Sequence, residues 1–163
     1  MKIKYSPKNN PRVIIIQKLY GFLINNEEAI EFPKHRFKKF IKEVLNGSIE
    51  RNELLEDELN KNLSINMKEK SFDKVFQIIL KAATFEFLYK PNLSIKIIIK
   101  EYLNASNFFI EDSQTKYLNA LLDTVGKNLR KLDERIWNNK EIFFKFVKKQ
   151  SCFIIFKWWC IFW

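Results

Sequence analysis

The stretch Ser71–Asp123 limits the fold more than any other part of the chain. It holds apolar-periodic segments at 71–90, 95–106 and 107–123, joined by short connections rich in breaking and capping residues. In the first, Phe72, Val75, Phe76, Ile79, Ala83 and Phe87 recur at helical spacing, and Ile78, Ala82 and Phe85 form a second apolar side. A helix apolar over so much of its circumference is buried on several sides and is therefore central. Pro91-Asn92 stops it, because proline disfavours the helical region for Lys90. Ser94 is placed to accept from the first free N–H groups of the next helix. Asp112 or Ser113 is the expected N-cap of the last, with Phe108, Phe109 and Ile110 stapling the turn to the core. Tyr117, Leu118, Leu121, Leu122, Val125 and Leu129 then make its stripe.

The rest of the chain extends the same pattern. Residues 1–10 are polar and basic and read as a flexible arm. Pro11 suits the first turn of a helix, where its missing N–H costs nothing. Val13, Ile16, Leu19, Tyr20 and Leu23 line one face of that helix, and Asn25-Asn26 ends it. Pro33 opens a second helix with Phe37, Phe40, Ile41, Val44 and Leu45 at i, i+3, i+4 spacing, and Asn46-Gly47 is its expected stop. Lys34, Arg36, Lys38, Lys39 and Lys42 fill its other positions; such a run is ordinarily a solvated face. A third, charged helix is expected over Ser48–Asn62 on the seam Leu55, Leu59 and Leu63, followed by a linker at 64–70. With Gly 3 and Pro 4 in 163 residues, the chain lacks the turn residues an all-β protein needs. The expected fold is all-α, a compact domain of six to seven helices in two helical halves.

The formal net charge of +10 points to a polyanionic partner, nucleic acid or an anionic membrane surface. The plain alternative is AT-biased coding, which inflates Lys, Asn and Ile. Distribution favours function: Lys2, Lys4, Lys8, Arg12 and Lys18 fall in the first twenty residues, without an acid. Val13–Ile16 is too short for the core of a signal peptide, so export by that route is not expected and a cytoplasmic location is. Cys152 and Cys160 have no histidine nearby and make neither a metal motif nor a disulfide framework. No glycine-rich phosphate loop, His–carboxylate pair or nucleophile motif is present, and His35, alone in the chain, reads as an exposed side chain. Glu86, Glu101 and Asp123 sit inside helical stripes, where capping or pairing with neighbouring lysines is the ordinary role. No enzyme, metal or cofactor is implied, and a binding module is favoured.

Several pieces, in order and at matching spacing over about 120 residues, resemble the NusB family of bacterial transcription antitermination factors. Pro11-Arg12 followed by Gln17-Lys18-Leu19-Tyr20 is similar to the family's basic first helix. Residues 79–88, ILKAATFEFL, are similar to its hydrophobic central helix with an embedded glutamate. Residues 95–101, IKIIIKE, and Tyr117-Leu118-Asn119-Ala120-Leu121-Leu122-Asp123 follow with the family's later patterns. The resemblance implies an RNA-binding, non-enzymatic factor that holds single-stranded boxA-type RNA of ribosomal RNA leaders. It further implies action with NusE, a small-subunit ribosomal protein, in the RNA polymerase antitermination complex. Carried over residue by residue, Lys8 and Arg12 match the family's basic stretch, with Lys2 and Lys4 preceding on the arm. Asp112 and Tyr117 match an acid and an aromatic at the RNA-proximal helix start, with Lys116 beside them.

The chain also departs from the family. Its arginine run is reduced to Lys8, Asn9, Asn10 and Arg12; Lys100 stands for an asparagine and Ala120 for a glycine. The expected organisation is an arm at 1–10, an RNA-binding domain at 11–130 and a basic-aromatic extension at 131–163. The extension carries all four tryptophans, and its last thirteen residues, SCFIIFKWWCIFW, are too short to span a bilayer. The readings open for it are an added docking helix, an interfacial membrane anchor, an interaction segment, or a readthrough end with no selected role. The alternatives to antitermination are therefore a protein-interaction or membrane-surface module using this tail, or a stand-alone ribosomal-RNA-binding module.

Overall fold

The computed structural model describes residues 7–25, 31–32, 34–62 and 72–138, with the side chains of Lys8 and of 132–138 outside the described set. Among these, a short 3-10 turn at Pro7–Asn9 precedes six helices and no strand is present. They are α1 (Pro11–Ile24), α2 (Lys38–Glu50), α3 (Asn52–Asn62), α4 (Lys74–Tyr89), α5 (Ile95–Ser106) and α6 (Asp112–Asn138). The all-α expectation holds. α1–α3 form one half, and α4 packs against all three of them as well as against α5.

The central position of α4 follows from its sequence. Phe76, Ile78, Ile79, Leu80, Ala82, Ala83, Phe85 and Phe87 are buried, covering most of its circumference. It ends at Lys90 before Pro91, and Ser94 Oγ accepts from the Ile97 N–H at 3.4 Å to start α5. α1 is more deeply buried than one stripe predicts. Ile14 and Ile15 are buried beside Val13, Ile16 and Leu19, whereas Tyr20 and Leu23 are half-buried. A run of four apolar residues spans a whole turn, so α1 meets α2, α4 and α5 on different sides.

Three expected boundaries are corrected. α2 starts at Lys38, not at Pro33, and it runs straight through Asn46-Gly47 to Glu50. Gly47 ends nothing: it faces α4, and a β-carbon there would collide with the Phe85 ring. The chain turns instead at Arg51, and α3 begins at Asn52 rather than Ser48. Leu55 and Leu59 are buried as its seam, and Lys81 of α4 donates to Asn52 Oδ1 (2.9 Å) and Glu56 Oε2 (3.1 Å).

The start of α6 also differs. Glu111 is the N-cap, its carbonyl accepting from the Thr115 N–H at 2.9 Å, which places Asp112 and Ser113 inside the first turn. Gln114 reaches back to the Glu111 N–H at 3.4 Å, the second half of a capping box. Of the three staple residues, Phe109 and Ile110 are half-buried and Phe108 is exposed. Further along, Gly126 lets α6 close on Ile95 (3.0 Å) and the Phe87 ring (3.1 Å), distances measured from where a β-carbon would stand.

All these contacts lie within the unit Met1–Asn128; of the unit Leu129–Trp163 the described residues are the last turns of α6. Leu63, the linker at 64–70 and the aromatic tail lie outside the described residues. No described helix is long and apolar enough to cross a membrane.

Candidate nucleic-acid interface

The arm joins the body at Asn10, whose Oδ1 accepts from the Arg12 N–H at 2.9 Å and caps α1. Pro11 then enters the first turn and fixes where the next side chain points. Arg12 points inward. Its Nη2 donates to Glu86 Oε2 of α4 at 2.7 Å, and its Nη1 lies 3.7 Å from Glu101 Oε2 of α5. The guanidinium carbon stands 5.3 Å from the Phe40 ring centre and 5.4 Å from that of Tyr102. Tyr102 donates its hydroxyl to the other Glu86 oxygen at 2.8 Å. Both oxygens of a carboxylate with no exposed surface are thereby satisfied.

Burial raises the Glu86 carboxyl above the usual range, and the Arg12 charge and hydrogen bond, with the Tyr102 hydroxyl, oppose that rise without cancelling it. Desolvation likewise pushes the Tyr102 phenol well up, with the Glu86 charge adding to it, so Tyr102 stays a donor. Arg12, expected from the resemblance among the RNA contacts, has its guanidinium turned into the domain. Its side chain is 8% exposed and committed to Glu86, so Arg12 positions the root of the arm. Glu86 pairs with a cation 74 residues away, not with a neighbouring lysine.

The remaining expected residues lie elsewhere. Asp112 and Lys116 are exposed one turn apart at the start of α6. Tyr117 is half-buried, its ring centre 5.9 Å from Phe72 and 6.2 Å from Phe76, which themselves stack at 4.9 Å. Phe76 and Glu86 are separated by ten residues of α4, roughly 15 Å along its axis. Arg12 and Tyr117 therefore mark opposite ends of the central helix and do not meet. Lys2 and Lys4 lie outside the described residues, and Lys8 falls in the 3-10 turn with its side chain undescribed.

Glu86 is visible in the sequence as the acid of the central helix, but its partner Tyr102 is not. The signal was a lone acid in an otherwise apolar central helix, which must find a partner if buried. No described cluster of His, Cys, Asp or Glu is arranged to hold a metal ion.

The fold and this arrangement define a small helical domain of the NusB type. A solved structure described as "T. maritima NusB" matches with a TM-score of 0.62, covering 75% of this chain and 92% of that one at 19% identity. The chain belongs to the NusB family, whose model matches residues 9–127. Among curated relatives, the transcription antitermination protein NusB of Bartonella henselae is 26% identical, covering 79% of this chain and 96% of its own length. That of Maricaulis maris is 25% identical, covering 78% and 94%.

Proposed function

We propose that the chain is a transcription antitermination factor that binds single-stranded boxA-type RNA together with the small-subunit ribosomal protein that acts as NusE. The observation that carries this reading is the family match over 9–127, which includes Arg12, Asp112, Lys116 and Tyr117. The geometry supports it in two places. The basic arm, with Lys2, Lys4 and Lys8, is rooted by a buried ion pair, so its cations start from a fixed point. At the other end of α4, exposed Lys116 and half-buried Tyr117 are the cation and aromatic that phosphates and splayed bases require.

Asp112 stands among these groups, exposed in the first turn of α6. There it favours the helix dipole while repelling phosphate, a balance that lowers RNA affinity in favour of helix stability. Nothing in this function calls for catalysis or a cofactor.

The test is binding of a short boxA-like RNA against a scrambled one, with and without the ribosomal partner. The boxA-like RNA is expected to bind more tightly, more so with the partner present, and with a steep salt dependence. Equal affinity for both RNAs under both conditions overturns the reading.

A further inference from the structure

We infer that the cationic face at the start of α2 holds phosphates of single-stranded RNA flanking the segment bound by the arm and the start of α6. The inference rests on the RNA-binding reading above and extends it to a surface that reading leaves unused.

Residues 34–42, KHRFKKFIK, contain Lys34, Arg36, Lys38, Lys39 and Lys42 and no acid. All five cations are exposed, and among the described residues no carboxylate pairs with any of them. The next acid on the helix, Glu43, is drawn away to Lys90 at 2.5 Å. Upstream, the nearest described acid is the exposed Glu31. α3 carries the opposite sign, with Glu53, Glu56, Asp57 and Glu58 against Lys61 alone, which Glu58 holds at 2.7 Å. Charges on a solvated helix are commonly paired locally, as Lys61 is with Glu58, whereas the five cations of 34–42 have no such partner among the described residues.

The second observation is the aromatic set. Phe37 is 40% exposed, with the Arg36 guanidinium 4.4 Å from its ring centre and the His35 ring at 5.6 Å. His35 is half-buried, its Nδ1 accepting from the Phe37 N–H at 3.0 Å, which fixes this turn. Lys42 stands 5.8 Å from the Phe32 ring centre. An exposed ring beside oriented cations is what single-stranded RNA uses, the ring for a base and the cations for the backbone. A membrane surface would need a broad apolar stripe, but Ile41, Val44 and Leu45 of α2 are buried in the core.

The third observation is location. Phe40, between Lys39 and Ile41, lies under the Arg12 guanidinium. The helix that carries the cationic face is thus anchored beside Arg12, at the end of α4 away from Tyr117, with Lys38 and Lys42 on its outer side.

The experiment uses the full chain, a short boxA-like RNA and the same RNA extended by unstructured single strand on both sides. The variant K38Q/K39Q/K42Q is compared with a charge-matched control, K74Q/K96Q/K127Q, whose lysines are also exposed. For the extended RNA, K38Q/K39Q/K42Q should lose about tenfold or more in affinity, and the log–log salt slope should fall by about 2. The short RNA should bind within about twofold of wild type, and the control variant should leave the extended RNA's affinity nearer to wild type. Equal losses in the two variants, or no loss in either, overturn the inference. So does binding to phosphatidylserine vesicles that depends on these lysines while RNA affinity is unchanged. If wild type fails to distinguish boxA-like from scrambled RNA, the antitermination reading falls. A loss on extended RNA specific to K38Q/K39Q/K42Q still supports this surface in that case, whereas a wild type that binds no RNA sinks both.

Discussion

Replacing Arg12 by methionine should unfold the domain well before it affects RNA contacts. The substitution removes the guanidinium that stands over Phe40 and Tyr102, and with it the ion pair to Glu86, a carboxylate with no exposed surface. Two unit charges 4 Å apart at an effective dielectric of 20 interact by about 4 kcal/mol. Breaking one side of a buried pair is worth about 3–5 kcal/mol, because the remaining charge stays desolvated. Glu101, 3.7 Å away and 36% exposed, adds little after screening. For a chain of this size that corresponds to a fall of roughly 6–20 °C in melting temperature. The sign of the pH dependence is fixed as well. Without Arg12 the Glu86 carboxyl rises further, so the folded variant takes up a proton as pH falls and the deficit shrinks toward pH 4.5. Urea unfolding at pH 7.5 and pH 4.5 measures both effects, and adding Glu86→Gln to Arg12→Met should recover part of the loss. A deficit below about 1 kcal/mol at pH 7.5, or one that grows on acidification, refutes the reasoning.

Three further outcomes are expected. Gly47→Ala should destabilise by about 1–3 kcal/mol, since its β-carbon lands on the Phe85 ring, which is held against Tyr89 at 4.8 Å; Phe85→Leu in the same chain should restore part of it, and wild-type stability for Gly47→Ala alone would contradict the contact. The raised Glu86 carboxyl means that its contribution is fully present below the unfolded value, about 4.3, and is lost as pH rises through the folded one. Wild type should therefore lose stability relative to Glu86→Gln as pH rises through that window, and a relative gain measured by urea titration would show that the ion pair outweighs burial. Asp112→Asn should tighten RNA binding severalfold by removing an exposed negative charge near phosphate, roughly a gain of 0.5–1 kcal/mol; equal or weaker binding in a filter or anisotropy assay rules this out.

The helices were legible where one period decides the structure; of the candidate site, only side-chain exposure follows from local pattern. The apolar sides of α4, the Pro91 break and the Ser94 cap follow from local rules, and the structure keeps them. Gly47 does not, because a local rule reads glycine as a stop while a tertiary contact needs it in mid-helix. The N-cap of α6 slipped by one residue because Glu111 needs no side-chain bond to cap when Gln114 reaches back to it. Asp112 and Lys116 are exposed as their polar positions suggest. Arg12 was read from its charge, yet its partner is 74 residues away, and no spacing along the chain encodes that choice among 29 lysines and arginines.

The Phe85 ring occupies the place on α2 where Gly47 presents no side chain. Sliding α2 by one turn would put Glu43 or Arg51 under that ring, and rolling it would bring in Val44 or Ser48. None of these leaves the space, so the helix has one permitted phase against its neighbour. The compass bearing of Lys38, Lys39 and Lys42 is thus set from behind, by an uncharged contact that touches no ligand. A substitution at residue 85 would loosen that constraint on the row's direction while leaving its composition unchanged.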